Sequence, residues 1–157
     1  MPFAHTSIDR KGRTTTFTYT PTGKPETVTY PSGAVSFLYD SRDNLVQMQD
    51  SSGTTSYTSY DAVNRLTGMI DANGFGIGYA YDEAGNLSVL TYPGGRTVSY
   101  TYDELNRLRT VRMDWLNRTA TYNYDNAGRL TGITQLNGTV VGYTYDGANR
   151  LTGLSNR

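Results

Sequence analysis

Residues 81–87 read Tyr81-Asp82-Glu83-Ala84-Gly85-Asn86-Leu87, and the same frame returns three more times. It recurs as Tyr102-Asp103-Glu104-Leu105-Asn106-Arg107-Leu108, Tyr124-Asp125-Asn126-Ala127-Gly128-Arg129-Leu130 and Tyr145-Asp146-Gly147-Ala148-Asn149-Arg150-Leu151. Two earlier copies open on Tyr39-Asp40 and Tyr60-Asp61 and close on Leu45 and Leu66. Successive Tyr-Asp pairs lie 21, 21, 21, 22 and 21 residues apart. A degenerate copy stands upstream, where Phe17-Thr18-Tyr19 precedes Thr20-Pro21-Thr22-Gly23 and Thr replaces the Asp. A fixed period of this length marks a tandem architecture in which each repeat is one supersecondary unit.

Two turns punctuate every period. The first runs from the Asp to Asp43, Asn64, Gly85, Asn106, Gly128 or Asn149, residue types that best tolerate the left-handed backbone region. The Asp can accept a hydrogen bond from the backbone two residues on, so the segment predicts a type I turn closed by a left-handed residue. About ten residues later come Asp50-Ser51-Ser52-Gly53, Asp71-Ala72-Asn73-Gly74, Tyr92-Pro93-Gly94-Gly95, Asp114-Trp115-Leu116-Asn117 and Gln135-Leu136-Asn137-Gly138, again with Gly or Asn last. Tyr30-Pro31-Ser32-Gly33 and Asp9-Arg10-Lys11-Gly12 precede them. The intervening stretches have the commonest strand length, so each period predicts two antiparallel strands and the chain a meander of about 14.

The strand entering each Tyr-Asp alternates: Val98, Tyr100 and Tyr102 fall on one face, and Thr97, Ser99 and Thr101 on the other. Phe75, Ile77, Tyr79 and Tyr81 follow the same rule, as do Ala120, Tyr122 and Tyr124, and Val141, Tyr143 and Tyr145. One face is therefore an aromatic band. The outgoing strands break the alternation, because Leu66 and Met69, Leu130 and Ile133, and Leu151 and Leu154 are three apart. Gly68, Gly132 and Gly153 between them suggest a bulge or sharp twist that re-aims one side chain.

Composition agrees. The 157 residues include 14 Tyr, 17 Gly and 24 Thr, a mixture of strand and turn formers, and no Cys. Fourteen basic residues balance 14 acidic ones, so the positive field that nucleic acid or an anionic membrane surface requires is lacking. No apolar run is long enough to span a membrane and no signal peptide is visible. The absence of Cys removes disulfide scaffolds and thiol nucleophiles.

Tyr-Asp-x-x-Gly-Arg-Leu at this period resembles the YD repeat of Rhs proteins, of the C components of insecticidal toxin complexes and of teneurins. The likeness runs from about residue 8 to residue 154. It implies a long strip of β-hairpins that spirals into a hollow shell around a toxic domain or a cleaved polypeptide, and a secreted or cell-surface location. Family shells use many more repeats than about seven, so an arc of such a wall is expected, with residues 1–7 a frayed lead-in and 8–157 the array. The chain begins within one repeat and stops inside another at Thr152-Gly153-Leu154-Ser155-Asn156-Arg157, without the family's plug motif or cargo, as a segment of a larger protein or a truncated relative would.

Catalysis finds little purchase. Asp40, Asp61, Asp82, Asp103, Asp125 and Asp146 could suggest paired carboxylates or a metal, but equivalent residues two strands apart sit roughly 9–10 Å from one another, too far to share a ligand. The turn role accounts for every copy. His5, the single imidazole, lies in the lead-in. No catalytic, cofactor or metal residue is assigned. Arg65, Arg107, Arg129 and Arg150 read as surface partners of the acidic row. Tyr39, Tyr60, Tyr81, Tyr102, Tyr124 and Tyr145 are repeat-motif residues, while Tyr79, Tyr100, Tyr122 and Tyr143 form a possible contact face. Aromatic pairs on that face can stabilise the sheet, or they can pack on sugars and polypeptide.

These readings converge on an all-β, non-enzymatic structural module, an arc of an Rhs-like shell around a toxin or polypeptide cargo. The alternative is an adhesion module whose Tyr-rich face contacts glycan or protein. Open strand edges and an uncovered face add an expectation of self-association.

Overall fold

The computed structural model describes residues 4–157 as an all-β chain with one short 3-10 turn, Asp114–Leu116. It divides into two compact units, residues 1–77 and 78–157. The first carries β1 (Ala4–Ile8), β2 (Thr14–Tyr19), β3 (Pro25–Tyr30), β4 (Gly33–Tyr39), β5 (Leu45–Asp50), β6 (Gly53–Tyr60) and β7 (Leu66–Ile70). β8 (Gly76–Tyr81) contributes most of its length to the second. There follow β9 (Leu87–Thr91), β10 (Thr97–Tyr102), β11 (Leu108–Met113), β12 (Arg118–Tyr124), β13 (Leu130–Thr134), β14 (Val140–Tyr145) and β15 (Leu151–Asn156). Within each unit strands neighbour one another in chain order and pair antiparallel, so the sequence pattern of hairpin after hairpin is the topology.

Of the lead-in expected over residues 1–7, residues 4–7 lie in β1 and residues 1–3 fall outside the described residues. β1 pairs with β2 from Ala4↔Thr18 to Ile8↔Thr14, with all five residues exposed. His5 opposes Phe17 there, ring centroids 6.2 Å apart.

Each hairpin that carries the Tyr-Asp turn has a register shift at its tyrosine. Tyr102 faces Leu108 while Thr101 faces Thr110, so Arg109 is an extra residue in the outgoing strand. The same shift isolates Glu26, Val46, Thr67, Ser88, Thr131 and Thr152. A β-bulge changes which face the following residue occupies. That explains apolar residues three apart: Tyr124 opposes Leu130 and Tyr122 opposes Ile133, so both aliphatic partners serve the aromatic face. The extra residue is the threonine before each of Gly68, Gly132 and Gly153, and the glycines themselves pair with Ser59, Asn123 and Thr144.

The opposite face carries hydroxyls that bond across neighbouring strands. Thr18 and Thr27 meet at 2.7 Å, Thr101 and Thr110 at 2.6 Å, and Thr67 donates to Ser59 at 2.8 Å. Such cross-strand pairs are the unit of sheet stabilisation, each contributing about 0.2–1 kcal/mol. Conventional core is scarce: Val28, Val98 and Ala120 are the only buried apolar residues among those described, and none is sealed off completely. Side chains on these strands are mostly half-covered by their strand neighbours.

Candidate functional site

The Tyr-Asp turn is built by one carboxylate. Asp103 Oδ1 accepts the backbone N–H of Leu105 at 2.9 Å and of Arg107 at 3.0 Å, while Oδ2 accepts Arg107 Nε at 2.7 Å. Two backbone bonds close the loop, Asn106 N–H to the Asp103 carbonyl and Asp103 N–H to the Arg107 carbonyl, both 2.9 Å. Asp61, Asp125 and Asp146 repeat the arrangement with Arg65, Arg129 and Arg150, the Nε contacts measuring 2.6–2.7 Å. Asp40 and Asp82 use the amides of Asn44 and Asn86 instead, at 3.0 and 3.1 Å. The backbone N–H of Arg107, followed by its guanidinium, holds the Asp103 carboxyl below the usual carboxylate range, and Asp125 and Asp146 shift the same way through Arg129 and Arg150. Asp43, Asn64, Gly85, Asn106, Gly128 and Asn149 all have positive φ, 58–90°.

The residue after the left-handed position is Asn or Arg in all six copies, and Asn44, Asn86, Arg107 and Arg129 reach forward as well as back. Asn44 Nδ2 donates to Asn64 Oδ1 at 3.1 Å and Asn86 Nδ2 to Asn106 Oδ1 at 3.0 Å. Arg129 Nη1 donates to Asn149 Oδ1 at 2.8 Å and to the Asp146 carbonyl at 3.2 Å. Arg107 Nη1 reaches the Asp125 carbonyl at 3.5 Å, where Gly128 offers no side chain. The guanidiniums also lie over the next tyrosine, Arg107 at 4.6 Å from the Tyr124 centroid and Arg129 at 5.0 Å from that of Tyr145.

The tyrosine of the pair completes the link. Tyr102 Oη donates to the Leu87 carbonyl at 2.9 Å, Tyr124 Oη to that of Leu108 at 2.9 Å, and Tyr145 Oη to that of Leu130 at 2.8 Å. Tyr60 Oη does the same to the Leu45 carbonyl. Within each unit Tyr60, Tyr102, Tyr124 and Tyr145 thus fasten their turns to the preceding one through a phenol hydroxyl, and Asn44, Asn86, Arg107 and Arg129 fasten theirs to the following one through an amide or guanidinium. Tyr39 and Tyr81 are half-buried opposite Leu45 and Leu87. Two signals for this ladder stood in the sequence, the use of Tyr rather than Phe in every copy and the restriction of the following position to Asn or Arg, but neither shows across which gap the bonds run.

Tyr79, Tyr100, Tyr122 and Tyr143 share the ladder tyrosines' face and are half-buried. Burial, with Tyr92 and Tyr102 nearby, raises the Tyr100 phenol above its usual value. At the opposite end of the hairpins, Asp114 Oδ2 accepts Thr97 and Ser99 hydroxyls at 2.6 and 2.8 Å, and Oδ1 accepts Arg112 Nε at 2.9 Å. Tyr92 and Trp115 meet there edge to face, centroids 6.3 Å apart. Among the described residues no group of three His, Asp or Glu gathers where it could hold a metal, and no helix is long and apolar enough to cross a membrane.

Residues 5–117 match the model of the teneurin YD-shell family, and residues 124–157 that of the Rhs repeat. The crystal structure of TcdB2–TccC3–Cdc42 superposes with a TM-score of 0.76 at 16% identity, over 97% of this chain and 10% of the matched one. TcdB2–TccC3 without its hypervariable C-terminal region gives 0.78 at 16% identity, over 97% and 9%. The Photorhabdus luminescens Tc holotoxin pore gives 0.57 at 17% identity, over 96% and 10%. These likenesses are of fold, and the chain spans about a tenth of each matched chain. Comparison with curated protein sequences finds no match.

Proposed function

Because the chain belongs to the teneurin YD-shell family, we propose that it is a wall segment of a β-shell whose tyrosine face is turned toward an enclosed polypeptide. The observation that carries this reading is the division of labour between the tyrosines. Those of the Tyr-Asp pairs spend their hydroxyls on the Leu87, Leu108 and Leu130 carbonyls, whereas Tyr100, Tyr122 and Tyr143 lie beside them without a hydrogen-bond partner among the described residues. A half-covered aromatic face with free hydroxyls suits varied polypeptide better than one defined ligand. The carboxylates that could act as acid or base each accept bonds within their own turn, which supports a scaffold over an enzyme. Secretion or surface display follows from the family, and an isolated segment is expected to self-associate by facing two such surfaces.

A benzophenone side chain placed at position 100 and, separately, at 101 tests the reading against a permanently unfolded reporter polypeptide. Photoadducts should form from position 100 and not from Thr101, which lies on the hydroxyl face. Equal yields from both would overturn it. Glycan-array binding lost in Tyr100→Ala, with no polypeptide adduct, would move the protein to the adhesion class.

A further inference from the structure

The two Asn-Gly pairs of the chain, Asn73-Gly74 and Asn137-Gly138, hold the same place in two loops at the hairpin ends away from the Tyr-Asp turns. In each loop the Gly N–H donates to the carbonyl of the residue at its head, Gly74 to Asp71 and Gly138 to Gln135, both at 2.9 Å. The head residue donates its own N–H across the loop, Asp71 to the Phe75 carbonyl and Gln135 to that of Thr139. Both glycines have positive φ, +84° and +89°, and both pairs are exposed. A Cβ on either glycine would meet nothing within 4 Å. The loops differ in what receives the last N–H. Asp71 Oδ1 accepts that of Phe75 at 2.8 Å as well as that of Asn73 at 2.9 Å, and the Asn73 side-chain amide has no partner among the described residues. The Gln135 side chain makes no such bond, and the Thr139 N–H goes to Asn137 Oδ1 at 3.0 Å.

We propose that Asn73 is a site of spontaneous covalent modification, cyclising onto Gly74 as a succinimide, and that the bond from Thr139 holds Asn137 back from the same reaction. The Gly74 nitrogen gives up its proton and attacks Asn73 Cγ. A bond forms between that nitrogen and Cγ as the Cγ–Nδ2 bond breaks, and Nδ2 takes up a proton and leaves as ammonia. Solvent water then opens the ring at either carbonyl. One opening gives aspartate; the other gives isoaspartate, in which the main chain runs through the β-carbon. Neither an oxidant nor a second protein takes part.

Cyclisation asks two things of the loop: the Gly N–H must leave its carbonyl, and the Asn amide must swing onto the Gly nitrogen. The first cost is common to both loops, because both N–H bonds measure 2.9 Å. Glycine, without a Cβ, leaves the approach to its nitrogen open in both. The second cost falls on Asn137, whose Oδ1 must first release Thr139. The head residue is therefore the control. An Asp there ties the loop itself and leaves the Asn free; a Gln leaves the Asn to do the tying. The product sets one more negative charge beside Asp71, and as isoaspartate it displaces Gly74 from the bond that closes the loop.

The test incubates the folded full chain at mildly alkaline pH, digests it under acidic conditions and follows the peptides carrying Asn73 and Asn137 by mass spectrometry that resolves isoaspartate. Conversion at Asn73 is expected to be about fivefold faster than at Asn137, the factor that one neutral hydrogen bond represents. Synthetic peptides of residues 70–76 and 134–140, which have no closed loop to hold the amide, should convert at similar rates. Asp71→Gln should hand the Phe75 N–H to Asn73 Oδ1 and slow conversion there, while Gln135→Asp should free Asn137 and speed it. Circular dichroism checks that each variant keeps its sheet, and the comparison of the two sites within the unaltered chain needs no variant. Equal conversion of the two sites in the folded chain overturns the proposal. So does faster conversion at Asn137, a fivefold difference already present between the two peptides, or folded variants in which neither rate moves in the stated direction.

Discussion

Tyr124→Phe isolates one rung of the ladder. The substitution removes the hydroxyl that donates to the Leu108 carbonyl at 2.9 Å and leaves the ring beneath Arg107, 4.6 Å from its centroid, in place. The cation–π contribution, roughly 0.5–1 kcal/mol at such a site, is retained. What is lost is one neutral hydrogen bond to a part-buried carbonyl, about 1 kcal/mol with a span of about 0.5–1.5. Urea unfolding reads this directly: with a slope of about 1–3 kcal/mol/M for small proteins, the midpoint should fall by roughly 0.3–1 M. Tyr122→Phe is the control. It lies two residues away in β12 on the same face, half-buried, and its hydroxyl has no partner among the described residues, so its midpoint should move little. Repeat arrays can unfold in stages, and comparing two changes in one strand removes that ambiguity. Equal shifts for the two variants would refute the assignment of the repeat tyrosine to an inter-repeat bond.

Two further outcomes follow from the same turns. Gly128 has φ +81° and a Cβ there would sit 3.5 Å from Arg107 Nη1, so Gly128→Asn should gain the bond Arg129 makes to Asn149 and raise the thermal midpoint slightly, while Gly128→Val should cost on the order of 1–2 kcal/mol; equal losses would show that backbone strain alone governs the site. Asp103, Asp125 and Asp146 have folded-state pKa values below the unfolded one, so their stabilisation is complete above about pH 4 and disappears as pH falls below it. The urea midpoint should therefore drop on acidification, less steeply in Asp103→Asn, and a rise toward low pH would contradict the sign.

Strand and turn were legible because their determinants are local. Alternation at Val98, Tyr100 and Tyr102, Asp at the head of the turn and Gly or Asn at its close each act within a few residues. The three-residue spacing of Leu130 and Ile133 pointed to a bulge near Gly132, and the structure puts the extra residue at Thr131. The inter-repeat bonds were not legible. Arg129 and Asn149 are 20 residues apart, as are Asn44 and Asn64, and the sequence offers no measure of that distance until the register is known. Surface pairing with the acidic row was the expected role of these arginines. They do pair, each within its own turn, and in Arg107 and Arg129 a remaining guanidinium nitrogen joins one repeat to the next.

The uneven period follows from the loops at the far ends of the hairpins. Tyr19 and Tyr39 are 20 apart because Tyr30 pairs with Gly33 across a loop of two residues. Asp50 and Gly53 enclose a loop of the same length, yet Tyr39 to Tyr60 measures 21, because Thr58 enters β6 as a second irregularity. Loops closed by Asp71 N–H to the Phe75 carbonyl, Tyr92 to Arg96 and Gln135 to Thr139 hold three residues, and their periods are 21. Met113 pairs with Arg118 around four residues, Asp114 to Asn117, and Tyr102 to Tyr124 is 22. Apart from Thr58, length thus varies on the side of the repeat away from the Tyr-Asp turns. From each Tyr-Asp tyrosine to its leucine the count is always six, the span over which one carboxylate closes the turn on backbone N–H groups and on the Asn or Arg side chain that precedes the leucine. The only Trp, Trp115, sits in the longest of these variable loops, packed against Tyr92 and joined to the hydroxyl face through Asp114. Within each unit the constant edge links neighbouring repeats, and the variable edge is where one repeat can differ from the next without disturbing those bonds.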